Sequence, residues 1–542
     1  MVFFPVKQSS VNTIRKCVKP VVCQPAFFII LFLLLKATDV FSYVTAHFFP
    51  IYSIAGGVVI CYILSVPVIF LRKSARMFYK TVLMASFCIL FLVDVFLLLL
   101  YNMTFNTMPK DTIAAVLATN PAEASEFVVS YMSMEKVAVI VSTAMAIIII
   151  FFLLRKLKIK ISLFGEEIIF SLLVFSISLS LYRPVMAFAS NYFYLFTKKY
   201  PVLADYKQNP TVVHDEKSPQ TIVVVLGESF SKSNSSLYGY KKETSPLLNT
   251  LVKDSTLKVF MNVESYSTST IPSVKSIMTS YTDNMSDSIS WYQCMTLLEV
   301  VQKCGYETIW LSNQSKSGFY DNEIGAYSDL CDRQLFLGNK NDFASIRENS
   351  KNFFDEALLE ELDILLEERI QSQYKSVFFL HLMGSHAAFN MRYPVSFEVF
   401  SGNEYNTTHP FLSTKNRQVL AEYDNSILYN DFVVYEILQR FADKEAIVLY
   451  FSDHGIDVFQ SSNDYIGHAI TNNVVSVKSA RQIPLMVYTT HAFKEKFPQL
   501  ESRIKNSTLV PYRTDSIMYT IMDIAGVETV NGVSYKHKSL FK

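Results

Sequence analysis

The chain has 542 residues, too many for one ordinary domain, and its hydrophobic half is concentrated in the first third. A formal net charge of +1 with no dominant basic stripe argues against a nucleic-acid partner. Seven cysteines without a C-x-x-C pair exclude a zinc ribbon and a dithiol redox motif.

Five apolar segments come first, over 24–46, 51–71, 80–101, 136–154 and 161–182, each near the roughly 20 residues that cross a bilayer. Runs such as Phe27-Phe28-Ile29-Ile30-Leu31-Phe32-Leu33-Leu34-Leu35 favour membrane spans over buried helices of a soluble core. The first segment starts late and lacks a small-residue cleavage site, so it does not read as a cleavable signal peptide. Arg15, Lys16 and Lys19 precede the first span, and Arg72, Lys73, Arg76 and Lys80 separate the second from the third. Arg155, Lys156, Lys158 and Lys160 separate the fourth from the fifth. The positive-inside rule puts these three segments in the cytoplasm and everything after residue 183 outside.

Residues 184–220 read as a joint. Phe188, Tyr192, Phe193, Tyr194 and Phe196, followed by Lys198 and Lys199, suit either an interfacial helix or a plain linker. Residues 206–220 read as a polar entry into the next domain. From 221 to 542, short apolar runs at 221–226, 258–263, 307–312, 376–382, 446–451 and 484–488 alternate with helix-like stretches such as 353–369 and 416–441. This alternation predicts an α/β domain with a mostly parallel central sheet. In an extracytoplasmic domain Cys294, Cys304 and Cys331 allow at most one disulfide.

The chemistry collects at strand ends. Thr221-Ile222-Val223-Val224-Val225-Leu226 reads as a buried strand that stops at Gly227-Glu228-Ser229, where open α/β sheets keep their ligands. A second strand, 446–451, ends in Ser452-Asp453-His454-Gly455. Glu228, Asp453 and His454 are oxygen and nitrogen ligands suited to Zn2+ or Mn2+. Between them, 262–273 runs from a strand end into a hydroxyl-rich loop. A helix starting near Ile271-Pro272 would aim its free N–H groups at that loop, which suits a phosphate. His386 and His468, taken alone, read as structural or surface histidines, and His381 as buried structure.

Taken in order, Glu228-Ser229, Leu237-Tyr238-Gly239-Tyr240, Ser269-Thr270, Met383-Gly384-Ser385-His386 and Ser452-Asp453-His454-Gly455 resemble the phosphoethanolamine transferases of the bacterial envelope. That family lies within the sulfatase and alkaline-phosphatase superfamily. The resemblance implies a five-helix transmembrane domain (1–183), a joint (184–220) and a periplasmic sulfatase-like catalytic domain (221–542), in a multi-pass protein of the inner membrane. It implies Thr270 as nucleophile, with Glu228, Thr270, Asp453 and His454 as ligands of Zn2+. It also places His386 and His468 near the transferred phosphoryl group, and Thr119 and Glu123, in the 102–135 loop, at the ethanolamine headgroup. Two departures stand out. Ala115 replaces an Asn that many relatives carry four residues before the matching Thr. Tyr266 and Ser276 stand where lipid A-modifying members have a disulfide, which, with Trp310-Leu311-Ser312-Asn313-Gln314, leans toward the branch that modifies the core sugars.

The implied reaction takes phosphoethanolamine from phosphatidylethanolamine and gives it to a lipopolysaccharide acceptor, core sugar or lipid A, through a covalent threonine intermediate. The rival expectations are a lipoteichoic-acid synthase-like glycerol-phosphate transferase and a hydrolytic phosphodiesterase or sulfatase. A non-catalytic envelope protein that kept the fold is a further alternative, and loss of a metal ligand would be its mark.

Overall fold

The structure is a computed structural model that describes residues 208–282, 291–316, 323–338, 354–368, 374–463, 465–468 and 474–542. The helix Met134–Leu157 and isolated positions between 75 and 95 complete the described set. The chain divides into two compact units, residues 1–117 with 124–197 and residues 118–123 with 198–542.

In the first unit, helix α1 (Met134–Leu157, 24 residues) covers the fourth expected span. Among the described residues no helix is long and apolar enough to cross a membrane. The full sequence of α1 nonetheless carries no charged residue from Val137 to Leu154, and its described side chains Val139, Val141, Ile148 and Ile149 are exposed. Apart from the isolated positions, the other four expected spans lie outside the described residues, as do the aromatic segment 188–199, Thr119 and Glu123.

The second unit is built on a seven-stranded sheet. Its strands are β1 (Thr221–Gly227), β2 (Leu257–Val259), β3 (Tyr306–Ser312), β4 (Arg333–Phe336), β5 (Lys375–His381), β6 (Ala446–Ser452) and β7 (Leu485–Thr489). They lie in the order β2-β7-β6-β1-β5-β3-β4. The run β6-β1-β5-β3-β4 is parallel, and β7 runs antiparallel to both its neighbours. The expected mostly parallel sheet is therefore present.

Continuous β-branched runs form the central strands because both faces are covered. Ile222, Val224 and Leu226 of β1 pack with Ile447, Leu449 and Phe451 of β6 in one layer. That layer includes Val274, Ile277 and Met278 of helix α2 (Thr270–Met278). Val223 and Val225 point the other way, into a layer with Val448 and Tyr450. Leu358 and Leu362 of α3 (Ala357–Glu368) and Tyr423, Ile427 and Val433 of α4 (Thr414–Arg440) close that side. The period of two along each strand delivers its side chains to the two layers in turn.

Two expectations are corrected. The run 258–263 is not one strand. β2 ends at Val259, and Val263–Glu264 pairs instead with Tyr512–Arg513. Between them the backbone N–H of Met261 turns to the Thr508 carbonyl, and the Asn262 amide donates to the Leu509 carbonyl. Residues 208–220 are more than an entry segment, because Val212–His214 pairs antiparallel with Val527–Val530. Cys294, Cys304 and Cys331 form no disulfide with one another, within the at most one that the sequence allows.

Gly227 closes β1 against a neighbour. A Cβ there would lie 2.6 Å from Tyr450 Oη, which accepts a hydrogen bond from the Asn430 amide at 2.9 Å. Gly227→Ala is expected to displace Tyr450 and cost about 1–3 kcal/mol, lowering the thermal midpoint by several degrees in a calorimetric scan. Adding Tyr450→Phe, which removes the obstructing oxygen, should recover part of that loss.

Candidate active site

Sheet register decides where the polar residues fall. β1 and β6 run parallel with Gly227 opposite Ser452, so Glu228 and Asp453 leave the sheet at the same level. The Asp453 N–H donates to the Gly227 carbonyl at 3.0 Å, tying the two strand ends together. A third element arrives from the 262–269 loop, where Ser265 donates to the Asp453 carbonyl. Ser269 is the N-cap of α2 and Thr270 its first residue, close to the helix start expected at 271–272.

Glu228, Asp453 and His454 are fully buried, and each offers one ligand atom within 4.8 Å of the others. His454 Nε2 lies 3.3 Å from Glu228 Oε1 and 3.4 Å from Asp453 Oδ2. Thr270 Oγ1 donates to Glu228 Oε2 at 3.3 Å and lies 3.2 Å from His454 Nε2. Thr270 is only half-buried, so its hydroxyl is reachable. The four residues that the sequence put together as ligands and nucleophile do converge.

The polar groups around them are arranged for a cation. His454 Nδ1 lies 2.8 Å from the Gly455 carbonyl, which can only accept, so Nδ1 carries a proton and Nε2 faces inward, where loss of its own proton to a cation would expose the lone pair. Asp453 Oδ2 is buried without a hydrogen-bond partner. An orphaned carboxylate oxygen beside an inward imidazole nitrogen and a second carboxylate is costly unless a positive charge joins them. The donor set thus fits a divalent ion such as Zn2+.

Electrostatics agree. Burial alone would raise the Glu228 carboxyl, but His454, His386 and the Ser229 hydroxyl outweigh it and bring it down to about 2. Burial and then the Glu228 carboxylate push Asp453 up to about 8. Burial opposes charging of His454, yet Asp453 and Glu228 raise it above the ordinary imidazole value. The cation-free cluster therefore holds protons that a metal would displace.

His468 also belongs here. Its ring stacks on His454 with centroids 4.2 Å apart, and its Nδ1 donates to the Thr268 carbonyl at 2.6 Å. Burial and the His454 charge lower it to about 3, so it is neutral and carries its lone pair on Nε2. His386 lies close enough to act electrostatically on Glu228 and His468, and its buried Nδ1 has no hydrogen-bond partner. His381 is the buried structural residue expected, with Nδ1 3.1 Å from Ser312 Oγ and its pKa lowered by burial to about 4.

Several supporting residues are not evident from their type. Asp355 is buried and accepts from the backbone N–H groups of Met383 and Gly384, both at 2.8 Å, and from Asn313 at 2.9 Å. It thereby pins the loop that carries His386. Gly384 is left-handed (φ +55°), and a Cβ there would lie 2.8 Å from the Glu228 backbone. Ser229 is also left-handed, at φ +56°, a conformation costing a non-glycine residue about 1–2 kcal/mol. Its hydroxyl donates to Glu228 Oε1 at 2.6 Å.

A parallel α/β sheet thus carries a hydroxyl and three candidate metal ligands at its strand ends, an arrangement suited to phosphoryl or sulfuryl esters. The sulfatase family matches residues 220–527, and the chain belongs to that family. Among curated relatives, the phosphoethanolamine transferase EptC of Escherichia coli K12 is 27% identical over 332 residues, 60% of this chain and 53% of that one. The phosphoethanolamine transferase EptA of Helicobacter pylori is 28% identical over 307 residues, 56% of this chain and 53% of that one. The chain thus spans about half the length of the curated relatives it matches. Among solved structures, the zinc complex of the C-terminal periplasmic domain of Escherichia coli EptC superposes with a TM-score of 0.53 at 25% identity. That match covers 61% of this chain and 89% of that one. The integral membrane protein EptA of Neisseria meningitidis shares the fold with a TM-score of 0.61 at 21% identity, over 90% of this chain and 97% of that one.

Because His454 and Asp453 hold protons above their ordinary values in the cation-free site, cation affinity should rise with pH. Displacing one proton gives about a tenfold change per pH unit below the raised pKa values. Zinc affinity, read by competition with a chromophoric chelator, is expected to fall from pH 8 to pH 6.5. An affinity flat across that window would contradict the proton competition derived above.

Proposed function

We propose that the protein is a zinc-dependent phosphoethanolamine transferase acting from phosphatidylethanolamine to an envelope glycolipid, with Thr270 as nucleophile and Glu228, Asp453 and His454 as metal ligands. The observation that carries this reading is the position of Thr270 Oγ1, 3.3 Å from Glu228 Oε2 and 3.2 Å from His454 Nε2. The names of the relatives supply the substrate class, since the site alone fits any phosphoryl or sulfuryl ester.

In the first half-reaction Thr270 Oγ attacks the phosphorus of the donor in line. The bond to the diacylglycerol oxygen breaks, and a phosphoethanolamine ester forms on Thr270. In the second half an acceptor hydroxyl or phosphate attacks that phosphorus and the Thr270–phosphorus bond breaks. A zinc ion held by Glu228, Asp453 and His454 would supply a lowered hydroxyl pKa and a positive charge for the equatorial oxygens. The start of α2 adds backbone N–H groups on the same side. Neutral His468 suits ligation, or a hydrogen bond from the incoming hydroxyl, better than proton donation at rest. His386, Thr119 and Glu123 complete the proposed substrate contacts, the carboxylate of Glu123 pairing with the ammonium group of the headgroup.

The membrane arrangement belongs to the same proposal: five spans, the N-terminus inside, and the catalytic domain in the periplasm facing lipid donor and lipid acceptor. The basic inward loops, the uncharged core of α1 and the fold shared with an integral membrane protein support it. Thr270 cannot be converted to formylglycine, which counts against a sulfatase activity. Use of phosphatidylglycerol in place of phosphatidylethanolamine would mark the lipoteichoic-acid synthase-like alternative.

Incubating the full detergent-solubilised chain with headgroup-labelled phosphatidylethanolamine should place label on the peptide containing Thr270. Thr270→Ala should carry none while retaining most of its zinc affinity. Label persisting in that variant would overturn the assignment of the nucleophile. For the acceptor, mass spectrometry of envelope glycolipids from cells with and without the protein should show an added phosphoethanolamine on lipid A or a core sugar.

A further inference from the structure

Ser229 is a non-glycine residue held in left-handed backbone, in the turn that carries a proposed metal ligand. The turn is fixed from three directions. Tyr423 Oη donates to the Ser229 carbonyl at 3.0 Å and accepts from the Ser231 N–H at 2.9 Å. The Ser229 N–H faces Asp453 Oδ1 at 3.4 Å. Glycine would occupy this conformation without strain, so the backbone gives no reason for a serine. The side chain does. It is 1% exposed, and its hydroxyl donates to Glu228 Oε1 at 2.6 Å.

That bond breaks the symmetry of the Glu228 carboxylate. Oε1 is held by Ser229 on the side of His454 Nε2, 3.3 Å away, while Oε2 is left for Thr270 Oγ1, also 3.3 Å away. A carboxylate without such a tether rotates about its last torsion, which is broad and two-fold. Rotation away from this plane would lose the approach of one oxygen to His454 Nε2 and of the other to Thr270 Oγ1.

We infer that Ser229 is a positioning residue, whose hydroxyl fixes the Glu228 carboxylate and so sets both cation affinity and the placement of Thr270. The inference rests on Glu228 serving as a metal ligand. Ser229→Gly separates this role from a structural one, because it relieves the backbone while deleting the hydroxyl.

The experiment compares the full-length wild type, Ser229→Gly and Asp453→Asn in detergent. It reads the thermal midpoint of chelator-treated protein, zinc affinity by chelator competition, and donor labelling of Thr270. Ser229→Gly is expected to melt at or above the wild type. Its zinc affinity should fall about ten- to a hundredfold, the usual effect of losing a group that orients a ligand. Labelling at saturating zinc should fall as well, through Thr270 misplacement. Zinc affinity within about twofold of wild type would overturn the inference and leave the metal site standing. Loss of affinity only in parallel with a lower midpoint of the cation-free protein would also overturn it, by showing a structural role. Wild-type zinc binding that Asp453→Asn leaves unchanged would remove the metal reading itself, and this inference with it.

Discussion

The parallel register of β1 against β6 is the constraint on which the rest depends. Because Gly227 stands opposite Ser452, two carboxylates and an imidazole arrive side by side at the ends of strands that are buried on both faces. No solvent dilutes their repulsion there. Two buried carboxylates this close cannot both stay charged unless a proton or a cation joins them, which is why Asp453 rises to about 8 when only protein groups are present. The arrangement is unfavourable as a piece of folding and sensible as a cation site. A site that costs stability when empty and gains it when filled couples folding of this region to metal.

The supporting bonds follow from the same constraint. His454 spends Nδ1 on the carbonyl of the next residue, Gly455, and Ser229 spends its hydroxyl proton on Glu228. Asp355, itself buried, holds the 383–384 backbone so that Gly384 can press against Glu228, and the Ser385 N–H reaches the Glu228 carbonyl at 2.9 Å. Each link removes a degree of freedom from a ligand or from the loop beside it. Precision of this kind comes from the elements behind the site more than from the site residues themselves.

Much of this was legible in the sequence because the informative signals are local. The runs at 221–226, 307–312, 376–382 and 446–451 are β-branched or aromatic and end abruptly, so strands and the chemistry at their tips could be read directly. The start of α2 was legible within a residue or two from the hydroxyl-rich loop and Pro272. What could not be read depends on distance or backbone sign. Nothing in the string marks Ser229 as left-handed, or Asp355 as the anchor of a loop 28 residues further on. The run 258–263 looks like one strand, but Asn262 bonds across to Leu509, a choice made by tertiary neighbours. The resemblance put His468 near the site, but its stacking on His454 at 4.2 Å follows from the short hairpin of Asp457–Val458 and Ile466–Gly467, which the residues alone do not show.

Two arginines come close to the site loops, and both donate to backbone carbonyls there. Arg392 donates to the carbonyls of His386 and Ala387, and Arg481 to the carbonyl of Tyr266. Both guanidinium groups hold backbone in place, on the His386 loop and on the loop leading to Thr270. Neither bond is the bidentate fork by which arginine grips a phosphoryl group. Under the proposed function, charge on a transferred group would then be met by the cation, the N–H groups at the start of α2 and the imidazoles of His386 and His468. Of these, His468 is held neutral by burial and by the His454 charge. Under the proposed function, with these arginine bonds made to backbone, neutralisation would rest on the ion that Glu228, Asp453 and His454 are proposed to hold.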